Sequence, residues 1–160
     1  MPKKSAGILL YRRRGLVLEV FLVHPGGPFW EKKDDGSWSI PKGEYAPDAD
    51  ALEAAKREFT EETSFTAAGT FVALAPLKQP SGKLVSAWAL EADVDPALLI
   101  SNTFRMEWPP KSGIQREFPE VDRGEWFDLQ TARRKLVPGQ APFVTELESI
   151  LAQPEISPAG

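Results

Sequence analysis

The stretch Gly43-Glu44-Tyr45-Ala46-Pro47-Asp48-Ala49-Asp50-Ala51-Leu52-Glu53-Ala54-Ala55-Lys56-Arg57-Glu58-Phe59-Thr60-Glu61-Glu62-Thr63-Ser64-Phe65 decides how this chain is read. Asp50 is a good helix N-cap, and Glu53 three residues later has the reciprocal capping-box spacing. No Gly or Pro interrupts residues 51–63, and Leu52, Ala55 and Phe59 recur at helical spacing as a narrow core-facing stripe. The spacing predicts a helix over 51–63. On such a helix Glu58, Glu61 and Glu62 stand at i, i+3 and i+4, so their carboxylates share one face. Like charges so placed are unfavourable by about 0.2–0.5 kcal/mol each. Glu61 and Glu62 also lie near the helix C-terminus, where the macrodipole disfavours anions. Two local rules broken together mark a candidate functional site. A divalent cation resolves both, and a cluster of hard oxygen ligands suits Mg²⁺ or Mn²⁺. The plainer alternative is a solvated acidic face.

Upstream of this helix, residues 6–11 and 16–24 read as two strands joined by a tight turn at 12–15. Pro25-Gly26-Gly27-Pro28 ends the second, 29–36 is a polar loop, and 37–40 is a short strand. Downstream, 69–77 and 83–92 are expected strands around the turn Gln79-Pro80-Ser81-Gly82, and Asp95-Pro96 starts a short helix. Residues 102–121 carry few periodic signals and read as a long, functional loop. A last strand is expected at 124–127, then a helix from the Asp128 cap to about 137, and another over 141–152 stopped by Pro154. Several strands, one central helix and two late helices give an α/β (α+β) class, a mixed sheet between helical layers. Residues 1–153 are expected to form one domain and 154–160 a disordered tail.

The chain has 160 residues and a net charge of −4. Residues 48–62 hold six acids and two bases, so that segment carries the whole excess and the remainder balances. Such a balance argues against a nucleic-acid or anionic-membrane binder. No stretch approaches the ~20 apolar residues of a membrane span, and nothing reads as a signal peptide. With no Cys there is no disulfide, thiolate-held zinc or thiol nucleophile, which suits a reducing, cytoplasmic setting. The single histidine, His24, excludes a multi-His metal site within one chain and reads as structural. No nucleophile elbow, P-loop or dinucleotide fingerprint is present.

Residues 43–65 resemble the Nudix box, G-x5-E-x7-R-E-U-x-E-E-x-G-U with U apolar: Gly43, Arg57, Glu58, Phe59, Glu61, Glu62 and Phe65 fall in register. The lead-in Trp38-Ser39-Ile40-Pro41-Lys42-Gly43 also looks like the strand that enters that box. Ala49 replaces the first Glu of the pattern, and Ser64 replaces its last Gly. The resemblance implies an α/β/α sandwich and a metal-dependent hydrolase of nucleoside diphosphates linked to another moiety, such as a dinucleoside polyphosphate. Glu61 and Glu62 match the metal-binding pair, and Glu58 the carboxylate that binds metal or acts as base. Arg57 matches the arginine that orients these acids, and Gly43 the glycine whose carbonyl reaches metal. In this family a late loop often supplies a further carboxylate, a role open to Glu117 or Glu120. Ala49 keeps a second reading in play, a nucleotide-binding module with weakened or lost catalysis.

Aromatic faces on loops can stack on a nucleobase, which makes Phe29, Trp30 and Trp108 candidates, while Trp38 reads as core. Among bases that could meet phosphates (Lys32, Lys33, Lys42, Lys111 and Arg116), Lys42 is best placed, directly before Gly43.

Overall fold

A computed structural model describes residues 3–153. Strands β1 (Lys4–Arg14) and β2 (Val17–Pro25) pair antiparallel around a turn in which Gly15 takes φ +62°. Strand alternation sorts their side chains onto two faces. Ala6, Ile8 and Leu10 of β1 join Phe21 and Val23 of β2 in one core, whereas Leu9, Val20 and Leu22 enter another. Both faces of these strands are therefore apolar, so each needs its own covering layer.

The rest of the sheet grows from this pair. β6 (Leu84–Glu91) runs parallel to β1, and β9 (Val121–Asp128) pairs antiparallel with β2. β4 (Phe71–Ala73) edges β6, which also pairs with β5 (Leu77–Lys78); the short β3 (Lys42–Glu44) pairs with the start of β1. The result is a seven-stranded mixed sheet, ordered β4-β6-β1-β2-β9 with β3 and β5 attached. Helix α1 (Ala51–Thr63) covers one face through Ala54, Ala55 and Phe59. Helices α2 (Leu129–Lys135) and α3 (Ala141–Ala152) cover the other through Leu129, Ala132, Phe143, Val144 and Leu147. This is the three-layer mixed fold that the sequence implies. Among the described residues no helix is long and apolar enough to cross a membrane.

Several local expectations change. Residues 102–121, expected as a loop, contain β7 (Thr103–Glu107) and β8 (Gln115–Pro119), a two-stranded ribbon separate from the main sheet. Their alternation is real but obscured: Phe104 faces Phe118 across the ribbon, while Arg105, Glu107, Arg116 and Glu117 lie among the other positions. Residues 69–77 divide into β4 and β5, and 37–40 makes only the bridges Val23–Ser39 and Trp38–Leu136. Of the strand-like lead-in 38–43, only the end is a strand, as β3 over Lys42–Glu44. α2 stops at Lys135, with Leu136 extended two residues before Pro138. The expected tail, 154–160, lies outside the described residues.

Candidate active site

Helix α1 forms as its caps dictate. The Asp50 carboxylate accepts the Glu53 N–H at 3.0 Å. At the other end Ser64 adopts the left-handed conformation, φ 63°, and its N–H donates to Thr60 O at 2.7 Å. Thr63 Oγ1 donates to Phe59 O (2.6 Å) and accepts the Phe65 N–H (3.1 Å), completing the cap without glycine.

Beneath the last turns of α1 runs β3, where Gly43 pairs with Ala6. A Cβ on Gly43 would lie 2.1 Å from Cδ and Oε2 of Glu58, so this carboxyl rests where only glycine leaves room. Arg57 Nη2 donates to Glu58 Oε1 at 3.1 Å, and its Nε lies 3.6 Å from Glu61 Oε1. An exposed arginine of this kind adds little stability, but it fixes two carboxylates at once. Burial pushes the Glu58 carboxyl up; the Arg57 hydrogen bond opposes this, and the Glu61 charge reinforces it. Burial pushes Glu62 up to about 8, opposed by Lys42 and reinforced by the charges of Glu58 and Glu120. Lys42 is held below the usual lysine range by burial and then by Lys83, against the pull of Glu62, Glu44 and Glu58.

Several of these groups line one cavity of about 760 Å³, within the range of small-molecule sites. Lys42, Gly43, Glu58, Glu62, Glu120 and Lys83 are on its wall, as is Trp30. Glu61 is not, but its carbonyl takes the Asn102 N–H at 2.8 Å. Asn102 O in turn accepts the Glu120 N–H at 2.8 Å, and Glu120 O accepts the Gly26 N–H at 2.9 Å. A ladder of backbone hydrogen bonds thus ties Glu120 to the acidic helix.

The remaining candidates lie elsewhere. Glu117 accepts a hydrogen bond from the Thr103 hydroxyl at 2.6 Å on the β7–β8 ribbon, outside the cavity wall. Trp108, Lys111 and Arg116 also belong to the ribbon or its connection and are absent from that wall. Trp108 meets Phe29 edge-on at 5.4 Å. Trp38 is buried, as expected for core, with Nε1 donating to Asp34 at 2.8 Å. Ala49 sits in the exposed turn before α1, its N–H bonded to Ala46 O.

Lys83, Gln79 and Asn102 are cavity residues that sequence reasoning missed. For Lys83 the signal is topological. Ser5 of β1 pairs with Glu44 on one side and Val85 on the other, which brings Lys83 Nζ within 3.1 Å of Glu44. Local patterning cannot reveal a three-strand juxtaposition.

Among the described residues no three acidic or histidine side chains converge as a ready-made cage for a cation. The groups facing the cavity nevertheless fit one in kind. Glu58, Glu62 and Glu120 put oxygen donors on its wall, and burial pushes the Glu58 and Glu62 carboxyls up. Mg²⁺ characteristically takes one or two carboxylates and fills its shell with water and substrate phosphate.

Comparison with known proteins places this geometry. The model of the NUDIX domain matches residues 1–147. A C. elegans Ap4A hydrolase, solved as a binary complex, has a TM-score of 0.63 at 20% identity, covering 94% of this chain and 98% of its own. The NUDIX domain of Shewanella oneidensis NrtR, complexed with ADP ribose, has a TM-score of 0.66 at 13% identity, covering 95% and 90%. A mutT/nudix family protein from Listeria innocua has a TM-score of 0.62 at 17% identity, covering 94% and 95%. No curated protein sequence matches the chain. At these identities the structural likeness shows the fold, while the family model spans nearly the whole sequence. The chain belongs to the NUDIX domain family, the family of pyrophosphohydrolases whose box residues 43–65 resemble.

Proposed function

We propose that the protein hydrolyses a phosphoanhydride bond in a nucleoside diphosphate linked to another moiety, with Mg²⁺ or Mn²⁺ as cofactor. The observation that carries this reading is one cavity in which Glu58, Glu62, Glu120 and Gly43 stand beside Lys42 and Lys83. A pyrophosphate repels an attacking water through its own negative charge. When bound, the divalent ion shields that charge and acidifies the water. In this reading Glu58, Glu62 and the Gly43 backbone would hold the ion at the cavity wall, with Glu61, kept beside Glu58 by Arg57, and Glu120 as further carboxylates.

Glu58 accepts the water's proton, a role that suits a half-buried carboxyl whose affinity for protons is raised. Arg57 keeps Glu58 and Glu61 in place through its two contacts. Lys42 and Lys83 neutralise the departing phosphate, each as a compact point charge. The C. elegans protein's description as an Ap4A hydrolase and the ADP ribose in the NrtR domain support a substrate that contains a nucleoside diphosphate, with a dinucleoside polyphosphate as first choice. A cysteine-free chain with such a substrate suits the cytoplasm.

The test is incubation with Mg²⁺ or Mn²⁺ and a panel of dinucleoside polyphosphates, nucleotide sugars and nucleoside triphosphates. Metal-dependent release of a nucleotide product is expected, and it should vanish in Glu61→Gln plus Glu62→Gln. No turnover by the native chain, or full turnover by that double variant, overturns the reading. Ala49 favours one rival, a nucleotide-binding module without turnover. Tight calorimetric binding with no hydrolysis over hours supports that rival.

A further inference from the structure

The cavity has only one aromatic residue on its wall among the described residues, Trp30. The other candidates are already occupied. Trp38 is buried, Trp108 is packed on Phe29, and Trp126 lies against Phe21 and under Arg12. Trp30 instead remains 39% exposed, with Lys33 Nζ 5.0 Å from its ring centroid. Lys33 attends one side of the ring, yet no aromatic neighbour covers it, and a large, part-exposed aromatic ring on the wall of this cavity has the chemistry of a base-stacking platform.

The loop that bears Trp30 is tied down from below by an unusual pair. His24, wholly buried at the end of β2, uses both ring nitrogens. Nδ1 lies 2.9 and 3.1 Å from the two carboxylate oxygens of Asp122, and Nε2 lies 2.6 Å from the carbonyl oxygen of Lys33. The Lys33 N–H donates back to Trp30 O at 2.9 Å, closing the turn that carries the indole. Asp122 follows Glu120 and Val121, which line the same cavity, and His24 lies between the lining residues Val23 and Pro25. One imidazole thus joins the Trp30 turn to the two strand ends that floor the site.

We propose that Trp30 is the platform on which the substrate's nucleobase stacks, and that the His24–Asp122 pair is a positioning device holding that platform through the Lys33 carbonyl. The proposal rests on the nucleotide reading above, but it concerns recognition of the base and not the bond broken. Stacking is sequence-tolerant because every base has a π-face, so the platform selects for possession of a base over its identity.

The test measures equilibrium binding by calorimetry, in Mn²⁺, of ADP and of methyl diphosphate, which has the phosphates without the base. The native protein is expected to bind ADP about tenfold or more tightly than methyl diphosphate. Trp30→Ala should abolish that ratio while leaving methyl diphosphate affinity unchanged, and Trp30→Phe should keep most of it. Asp122→Ala should reduce the ratio and Asp122→Asn, which still offers an acceptor, should restore it. This avoids replacing the buried His24 itself. No ADP preference in the native protein, or an unchanged ratio in Trp30→Ala, overturns the platform. An unchanged ratio in Asp122→Ala overturns the tie. A protein that stacks ADP on Trp30 but cleaves nothing loses the hydrolase reading and keeps this one. One that cleaves nucleotides with the ratio unaltered in Trp30→Ala does the reverse.

Discussion

Helix α1 and the β7–β8 ribbon are both rich in charge, and both read as functional from sequence, yet they relate to the cavity in opposite ways. The helix places Glu58 and Glu62 on the cavity wall and ties Glu61 to it through Arg57. The ribbon keeps Glu117, Lys111 and Arg116 off that wall and sends only its flanks, Asn102 and Glu120, to the site. The difference lies in what each charge has for a partner. On the helix like charges are held together at a local cost, whereas on the ribbon Arg105 stands opposite Glu117 and Thr103 bonds to it. Charge that violates a local preference is the better pointer to chemistry.

The strongest way to break this contrast is to neutralise one acid in each region. Glu58→Gln is expected to lower turnover by about 10²–10⁴-fold, the usual contribution of a positioned general base. Glu117→Gln should change it by less than about twofold, as befits an exposed side chain paired on the surface. Steady-state kinetics on both variants check this, and comparable losses would erase the distinction.

Gly43→Ala is the next largest effect. Its new methyl must displace the Glu58 carboxyl from a position 2.1 Å away. A shift of about 1 Å in a catalytic group can cost on the order of 100-fold in rate. Overpacking of this kind also costs about 1–3 kcal/mol of stability. Thermal melts alongside kinetics separate the two losses, and an active Gly43→Ala would show that Glu58 does not work from where it rests.

The acidic helix should also respond to pH. Glu62, with its carboxyl pushed up to about 8, keeps a proton in the folded state that the unfolded chain releases near its ordinary value of 4.5. The folded state therefore holds more protons across that window, so in chelator this group's contribution to stability falls as pH rises from about 4.5 to 8. Adding Mn²⁺ should raise the melting temperature more at pH 8 than at pH 5.5, because the cation competes with that proton. Glu62→Gln should flatten both trends. The smallest expected effect is at the helix end. Ser64→Gly relieves a left-handed serine at φ 63° and should add up to about 1 kcal/mol of stability with activity unchanged, read by chemical denaturation.

How much of this was legible in the sequence follows from the range of the forces involved. Caps, helical period and like-charge spacing act within a few residues, so α1 was read with its bounds at 51 and 63. The order of several strands, one central helix and two late helices foretold a sheet between helical layers, and the two apolar faces of β1 and β2 match it. The ribbon was missed because Phe104 and Phe118 find each other across a long connection, and charged neighbours hide their alternation. In the site, the three glutamates were readable from helical spacing and Gly43 from the resemblance to the Nudix box. Lys83 was not, because it reaches the cavity only once β1 has paired on both edges. Glu120 was one of two equivalent acids until the backbone ladder from Glu61 through Asn102 separated it from Glu117.

That double pairing of β1 has an outcome for anyone handling the protein. Residues Ser5 to Gly7 seam together two sides of the cavity wall, with Lys42 on one edge and Lys83 just beyond the other. A cut or a bulky fusion at this seam alters no acid, no lysine and no tryptophan of the site, yet it lets the two lysines part. Preparations that differ only in the first few residues should therefore differ in how tightly they hold phosphate.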